Sequence, residues 1–369
     1  MRRNVRIISI LSVLTAVGLL AAVSFWRGEH SLPPETAYTS VSSTPSAVPP
    51  LSFTGRLSAE AAIVIDANSG SVLYEKNADK TMYPASTTKI MTGLLAAECL
   101  DPDEVIAVPE DVAKVEGSSI YLNPREKLTA DCLIHGLLLN SGNDAAYALA
   151  VACAGSVEAF AERMNERAAA LGMTGTHFVN PHGLPDDAHY TTARDLARLA
   201  ANAMKNEYLR KVVSTVRASY PSESGTVRYF VNHNRLLTLY DGAVGVKTGY
   251  TREAGRCLVS AAMRDGNMFI AVTLGDPDDW NDHVKLLDAA FDECETLYVA
   301  PPDAFFLDVG DKRYANHDGV FLTVPRGTAK DCKTDFTVIK TPDTFSVHYT
   351  VHTPYGTGEG DFSLSPSDI

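Results

Sequence analysis

Three short signatures stand in order along the chain and constrain what it can fold into: Ser86-Thr87-Thr88-Lys89, Ser141-Gly142-Asn143 and Lys247-Thr248-Gly249. They read as S-x-x-K, S-x-N and K-T-G. Together they supply the parts needed to open an amide through a serine ester, provided the fold brings them to one place. Ser86 and Lys89 are three residues apart, so on a helix they share one face. A serine hydroxyl is a poor nucleophile until a neighbouring base takes its proton. A lysine with a depressed pKa can be that base, and a second cation nearby depresses it further; Lys247 is the candidate for that cation.

Each signature also has a plainer reading. Ser86 follows Pro84-Ala85 and precedes an apolar-periodic run, which suits a helix N-cap. Ser141-Gly142-Asn143 suits a turn between helices. Lys247-Thr248-Gly249-Tyr250 suits the end of a strand. The joint occurrence of the three, each in a fitting local context, favours the catalytic reading.

The chain has 369 residues, 45% hydrophobic and 21% charged, with a net charge of -13. That length buries a sizeable core and predicts two or three units. The acidic balance shows no clustered basic footprint of the kind nucleic-acid binding needs. Arg2, Arg3 and Arg6 precede an apolar run over residues 7–26. At about 20 residues it is near the length that crosses a bilayer as a helix. Basic residues on its leading side place the N-terminus in the cytoplasm and export the rest. A cleaved signal peptide is the competing reading, with Ala22-Val23-Ser24 as a cleavage-like triplet. Either way the body of the protein is expected outside the cytoplasm, held at the outer face of the cytoplasmic membrane or secreted.

Six cysteines are scattered through the chain: Cys99, Cys132, Cys153, Cys257, Cys294 and Cys332. None forms C-x-x-C or pairs with His at zinc spacing. Export permits disulfides. Cys99, Cys132 and Cys153 each lie in an apolar helical run, where a free thiol behaves as a small hydrophobe, so mostly buried thiols are expected. No metal and no cofactor are expected, because a serine–lysine pair supplies nucleophile and base by itself.

Along the chain, residues 1–26 read as anchor or signal and 27–55 as a Pro/Ser/Thr-rich tether. The unit at 56–299 opens with a buried-strand run at 62–66, a turn at Asn68-Ser69-Gly70 and a return strand at 72–75. Helices are predicted over 90–100, 133–139, 145–153, 157–171 and 192–204. Strands follow at 243–246, 257–262 and 268–274, then a closing helix over 282–298. Strands at both ends with helices between them define an α+β fold of one sheet with helical layers. Residues 300–369 show short strands at 304–309, 320–324, 336–340 and 345–351 without a helical pattern, and so predict a small all-β module.

The pattern resembles the serine D-alanyl-D-alanine carboxypeptidases, the low-molecular-mass penicillin-binding proteins of bacterial cell walls, and so a β-lactamase/transpeptidase-like domain. Tyr83-Pro84-Ala85-Ser86-Thr87-Thr88-Lys89, Gly117-Ser118-Ser119-Ile120-Tyr121-Leu122, Asn140-Ser141-Gly142-Asn143-Asp144, Asn180-Pro181-His182-Gly183-Leu184, Thr192-Ala193-Arg194-Asp195 and Val246-Lys247-Thr248-Gly249-Tyr250-Thr251 carry the resemblance. It spans about residues 58–298 and reaches the β module only by position. It implies that Ser86 attacks the penultimate D-Ala carbonyl of a peptidoglycan stem peptide and that Lys89 takes its proton. It further implies that Ser141 relays a proton to the leaving amine and that Asn143 hydrogen-bonds Lys89 and the substrate amide. Lys247 and Thr248 would hold the terminal carboxylate, and Gly249 would let the strand edge approach the substrate. The backbone N–H groups of Ser86 and Tyr250 would form the oxyanion hole. β-Lactams would acylate the same serine. Many members end in an amphipathic membrane helix. Residues 356–369 here are mostly polar without that pattern, so anchoring is expected from 7–26.

Two other functions use related parts. A serine β-lactamase of class A needs a Glu-x-x-x-Asn segment for its deacylation water and usually S-D-N, whereas the second motif here is S-G-N. A non-enzymatic β-lactam-sensing membrane protein needs a cytoplasmic signalling region, and few residues precede the apolar run. His182 and His189 invite a Ser-His-Asp reading. The lysine already accounts for activation of Ser86, and Asn180-Pro181 reads as a turn, so both histidines are expected to be structural.

Overall fold

The computed structural model describes residues 51–221, 227–317, 319–340 and 344–367. The expected anchor or signal, and most of the expected tether, lie outside the described residues. The chain divides into two compact units, one of Ser46–Leu297 with Leu322–Lys330 and one of Tyr298–Phe321 with Asp331–Ile369.

In the larger unit β1 (Ala61–Asp66) and β2 (Val72–Lys76) form the opening hairpin. A 3-10 turn at Ala85–Thr88 leads directly into α1 (Lys89–Cys99). A small ribbon of β3 (Val105–Ala107) and β4 (Lys127–Thr129) precedes α2 (Ala130–Leu138), α3 (Asn143–Ala154) and α4 (Val157–Ala170). Then come α5 (Ala193–Lys205), α6 (Glu207–Ser214), a ribbon of β5 (Arg217–Pro221) and β6 (Val227–Val231), and the short α7 (Leu236–Leu239). The chain returns through β7 (Ala243–Thr251), β8 (Gly255–Arg264) and β9 (Asn267–Leu274) to α8 (Asp279–Glu293). Helix starts are written in the sequence. The side chains of Thr129, Ser156, Thr192 and Asn206 each accept a hydrogen bond from a first-turn N–H, which satisfies donors that a helix cannot pair internally.

The five main strands run in the order β2-β1-β9-β8-β7, with antiparallel neighbours. Both faces are covered, and the strands show it. Ala61, Ile63 and Ile65 of β1 pack into a core with residues of α1, α2, α3 and α5, while Ala62 and Val64 face a second core built on Leu286, Leu287 and Ala290 of α8. This two-residue alternation between two apolar environments explains why the β1 run lacks polar residues until Asp66. The Asp66 carboxylate accepts bonds from Ser69 and from Thr323, so the 322–330 segment is tied to the start of the sheet.

β10 (Cys294–Ala300) and β13 (Val320–Pro325) form a separate two-stranded ribbon. In the smaller unit β11 (Phe306–Val309), β12 (Lys312–Ala315), β14 (Lys333–Lys340), β15 (Phe345–Thr353) and β16 (Gly356–Ser367) form a sheet ordered β11-β12-β16-β15-β14. Val347, Val351 and Leu364 are buried there, and Phe305 packs at a tilt against Phe336 and edge-on against Phe362.

The α+β class and the all-β module stand as expected, with local corrections. The closing helix ends at Glu293, and Cys294–Ala300 is a strand rather than its last turns; its threonine, tyrosine and valine favour an extended chain. β16 was not legible, because its Gly- and Ser-rich sequence has little strand propensity and is held by a nine-pair ladder to β15. Cys99 is exposed, whereas Cys132, Cys153, Cys257 and Cys294 are buried.

One polar cluster sits deep in the second core. His283 of α8 is fully buried, with Nδ1 2.5 Å from Ser260 Oγ and Nε2 3.0 Å from Thr273 Oγ1. Burial pushes its pKa down to about 3. The folded value lies below the unfolded one, so the stabilisation is complete above about pH 6.5 and is lost as the pH falls toward the folded pKa. We expect this histidine to contribute about 1.4 kcal/mol of lost stability per pH unit between roughly pH 6 and 4. Urea unfolding of the native protein and of His283→Gln across that range checks it. The variant, which cannot take up the proton, should show a slope shallower by that amount, and equal slopes would refute the assignment.

Candidate active site

The first signature sits where the sequence changes from loop to helix. Ser86 occupies the 3-10 turn and Lys89 is the first residue of α1. The N-cap reading of Ser86 does not hold, since no side chain caps either helix start. Its hydroxyl lies 2.9 Å from Lys89 Nζ instead. Lys89 is wholly buried, and its ammonium also donates to Asn143 Oδ1 and to the His182 carbonyl, each at 2.7 Å. Burial, then the charge of Lys247, hold the Lys89 pKa well below the usual lysine value, while Asp144 acts in the opposite sense.

The turn before Ser86 is under close steric control. Ala85 has φ +48°, a region that L-residues rarely occupy. A Cβ placed on Gly183 would stand 1.8 Å from the Ala85 carbonyl oxygen, and Gly183 itself has φ +89°. Only glycine lets the 180–184 loop lie flat against the nucleophile turn. From the other side β7 presses in at Gly249, where an added Cβ would lie 3.0 Å from Ser86 N and 3.2 Å from Thr87 N. The third signature is therefore in contact with the first.

β7 is an edge strand, paired only with β8 within the main sheet, so half of its backbone groups are free of the ladder. Lys247 on it is 1% exposed and donates to the Thr248 carbonyl at 2.9 Å. Burial lowers its pKa to about 7. Thr248 is half-buried and Tyr250 is 66% exposed at the strand's outer end.

The second signature lies between α2 and α3. Ser141 is buried with φ +61°, and Asn143 opens α3. The Asn143 amide is pinned at both ends: Nδ2 donates to the Glu116 carbonyl at 2.7 Å, which turns Oδ1 toward Lys89. Its main-chain N–H donates to the Ser118 carbonyl at 2.7 Å.

Ser86, Lys89, Asn143, Lys247 and Gly249 are thus joined directly by contacts or through charge. Ser141, Thr248 and Tyr250 lie on the same two segments. Sequence reasoning gave no role to Asp144, yet it organises this side of the site. Its buried carboxylate accepts from Ser119 Oγ at 2.6 Å, from Ile120 N–H at 3.0 Å and from Leu122 N–H at 3.1 Å. It clamps the 116–122 loop, and so the Asn143 amide, onto α3. A carboxylate in the first turn of a helix, next to an expected site residue, was the available signal.

His182 and His189 hold loops. His182 Nδ1 accepts from the Leu184 N–H at 3.2 Å, and burial, then Lys89, then His189 take its pKa to about 3. His189 accepts from the Val179 N–H and lies 2.8 Å from Thr88 Oγ1; burial is the main cause of its pKa falling to about 4. Among the described residues no group of three or more His, Cys, Asp or Glu is arranged to hold a metal ion.

A buried lysine bonded to a serine at the foot of a helix, with a second buried lysine on an adjoining edge strand, defines a serine–lysine acyltransferase site. The family model for D-alanyl-D-alanine carboxypeptidases of the peptidase S11 type matches residues 44–278. The chain belongs to that family of serine-type peptidases. The D-alanyl-D-alanine carboxypeptidase DacF of Bacillus subtilis is 39% identical over 246 residues, 64% of this chain and 63% of that protein. The D-alanyl-D-alanine carboxypeptidase DacC of Escherichia coli is 35% identical over 304 residues, 76% of this chain and 74% of the relative. Among solved structures, the D-alanyl-D-alanine carboxypeptidase DacD of Francisella tularensis superposes with a TM-score of 0.66 at 27% identity, covering 90% of this chain and 98% of that one. The Streptomyces K15 DD-transpeptidase superposes at 0.61 and 35% identity, covering 65% of this chain and 99% of its own.

Removing the Asp144 carboxylate leaves several buried donors without an acceptor. We expect Asp144→Ala to cost about 2–4 kcal/mol of stability. We also expect it to slow covalent labelling of Ser86 by penicillin by about tenfold or more, since a 1.4 kcal/mol misplacement of Asn143 already gives that factor. Urea unfolding and a labelling time course measure the two. Wild-type values in both would show that the loop needs no clamp.

Proposed function

We propose that this chain removes the terminal D-Ala of peptidoglycan stem peptides through an ester on Ser86, with Lys89 as the base. The observation that carries the reading is the set of three partners on Lys89. As an ammonium it donates to Ser86, Asn143 and the His182 carbonyl. As a neutral amine it has two N–H groups and one lone pair. Asn143 Oδ1 and the His182 carbonyl have no proton to give, so they keep the two N–H groups. The lone pair then faces the only partner with a proton, the Ser86 hydroxyl. Geometry thus aims the base at the nucleophile.

Ser86 Oγ attacks the carbonyl carbon of the penultimate D-Ala as its proton passes to Lys89. The developing oxyanion is held by the N–H groups of Ser86 and Tyr250. Lys89 gives that proton up through Ser141, which takes one as it passes one to the departing amine, the C–N bond breaks, and D-Ala leaves. Water then attacks the ester carbonyl, and the reverse proton transfer restores Ser86. The peptide lies along the free edge of β7 as an added strand, with Asn143 on its amide and Lys247 and Thr248 on its terminal carboxylate. Burial lowers the Lys247 pKa to about 7. An arriving carboxylate favours its charged form.

We expect the native protein to release D-Ala from a diacetyl-Lys-D-Ala-D-Ala peptide and to form a covalent penicillin adduct seen by mass spectrometry. Ser86→Ala should lose both. An adduct of wild-type stoichiometry on Ser86→Ala would remove Ser86 from the chemistry. Rapid penicillin hydrolysis without D-Ala release would indicate a β-lactamase.

The same reading places the enzyme at the outer face of the cytoplasmic membrane, held by the apolar run at 7–26 behind three arginines. The expected tether is shorter than 27–55, because Leu51 is buried in the second core and its N–H donates to the Leu73 carbonyl at 2.8 Å. Among the described residues no single helix is long and apolar enough to cross a membrane. We expect the native protein in the membrane fraction with residues 7–26 still present by mass spectrometry. A mature N-terminus near Phe25 in a soluble extracellular fraction would show a cleaved signal instead.

A further inference from the structure

α1 and α3 carry the base and its amide partner at their N-termini, Lys89 and Asn143. Ten residues further along each helix stands a cysteine, Cys99 on α1 and Cys153 on α3. The two pairs share one sequence offset, 54 residues. Two helices that meet at Lys89–Asn143 and run side by side bring the cysteines together about 15 Å from the site. The structure shows this: Cys99 Sγ lies 3.9 Å from the Cys153 carbonyl oxygen. Cys99 is exposed at the end of its helix, and Cys153 is buried beneath it.

We propose that Cys99 and Cys153 are an oxidation site that closes to a disulfide stapling α1 to α3, by exchange with a small-molecule or protein disulfide. The exposed Cys99 thiolate attacks one sulfur of the incoming disulfide. A mixed disulfide forms and the first thiol leaves. Cys153 then loses its proton and attacks the Cys99 sulfur, releasing the second thiol. Two protein thiols and one external disulfide become one protein disulfide and two external thiols, so electrons and protons balance.

The order of attack follows from the surroundings. Burial, then the hydrogen bond with Cys99, hold the Cys153 thiol protonated, and Arg163 offsets part of that. The Arg163 guanidinium donates to the Cys153 carbonyl at 2.7 Å, which places a cation beside the sulfur that ionises in the second step. Cys99 can be reached by an external disulfide, whereas Cys153 is reached most readily from Cys99. The closed loop is long, so the cross-link removes much freedom from the unfolded chain. It lies at the far end of the helices from Ser86 and leaves the nucleophile turn untouched.

The test incubates the full native protein with oxidised glutathione, blocks remaining thiols under denaturing conditions and maps peptides without reduction. The expected product is a cross-linked peptide pair lighter by two hydrogens than its thiol forms, with fragmentation placing the bond at Cys153 and not at Cys132. Thermal unfolding should shift up by about 5 °C or more, reversibly with dithiothreitol. Penicillin labelling should persist. Cys99→Ser, at an exposed position, should abolish both the cross-link and the shift, as should Cys153→Ala. A glutathione adduct that stays on Cys99 without resolving, or a bond from Cys99 to another chain, would overturn the proposal.

Discussion

The buried ammonium of Lys89 is the interaction on which the rest of the site depends. Taking a charge out of water costs several kcal/mol unless its donors find good acceptors. Lys89 finds three, and each comes from a different part of the chain. One is on its own helical turn, one at the start of α3 and one on the 180–184 loop. Those three segments are brought together by the need to satisfy one side chain. The same burial that makes the contacts necessary also lowers the lysine's pKa, so one physical cause supplies both the architecture and the base.

The edge strand β7 completes the arrangement from the opposite side. Strand, nucleophile turn and loop meet at van der Waals limits, with Gly249 against the Ser86 N–H and Gly183 against the Ala85 carbonyl. These glycines act by the absence of a side chain. They allow a main-chain surface to reach the serine, which is what an extended peptide substrate requires. The sheet is buried on both faces and covered by α8 behind, so β7 has a rigid support and a free outer edge.

The sequence showed much of this, and the reasons are local. Lys89 follows Ser86 by three residues, a spacing whose meaning needs only one helical turn. The strand runs at 62–66 and 268–274 are apolar apart from Asp66 and Thr273, because β1 and β9 are buried on both sides. What the sequence hid was non-local. Asp144 looks like an ordinary first-turn carboxylate until the 116–122 loop folds over it. The His182 carbonyl is a main-chain atom, invisible to any reading of side chains. The strand at Cys294–Ala300 continued an apparent helix, and β16 formed from glycines and serines because β15 supplied its ladder. The expected structural role of the histidines matches their contacts with loop N–H groups.

Small residues connect the helix packing to the chemistry. α3 reads NDAAYALAVACA, and Ala145, Ala146, Ala148 and Ala150 are all fully buried. Alanines on the contact faces let helix axes approach toward the lower end of the usual 8–10 Å range. Lys89 stands at the start of α1 and meets an amide at the start of α3 at 2.7 Å, an approach that small side chains on α3 permit. A bulkier face would separate the axes and strand the ammonium among apolar groups, where an unpaired charge is costlier than the cavity it would fill. The packing of α1 on α3 and the protonation chemistry at Ser86 are therefore one constraint.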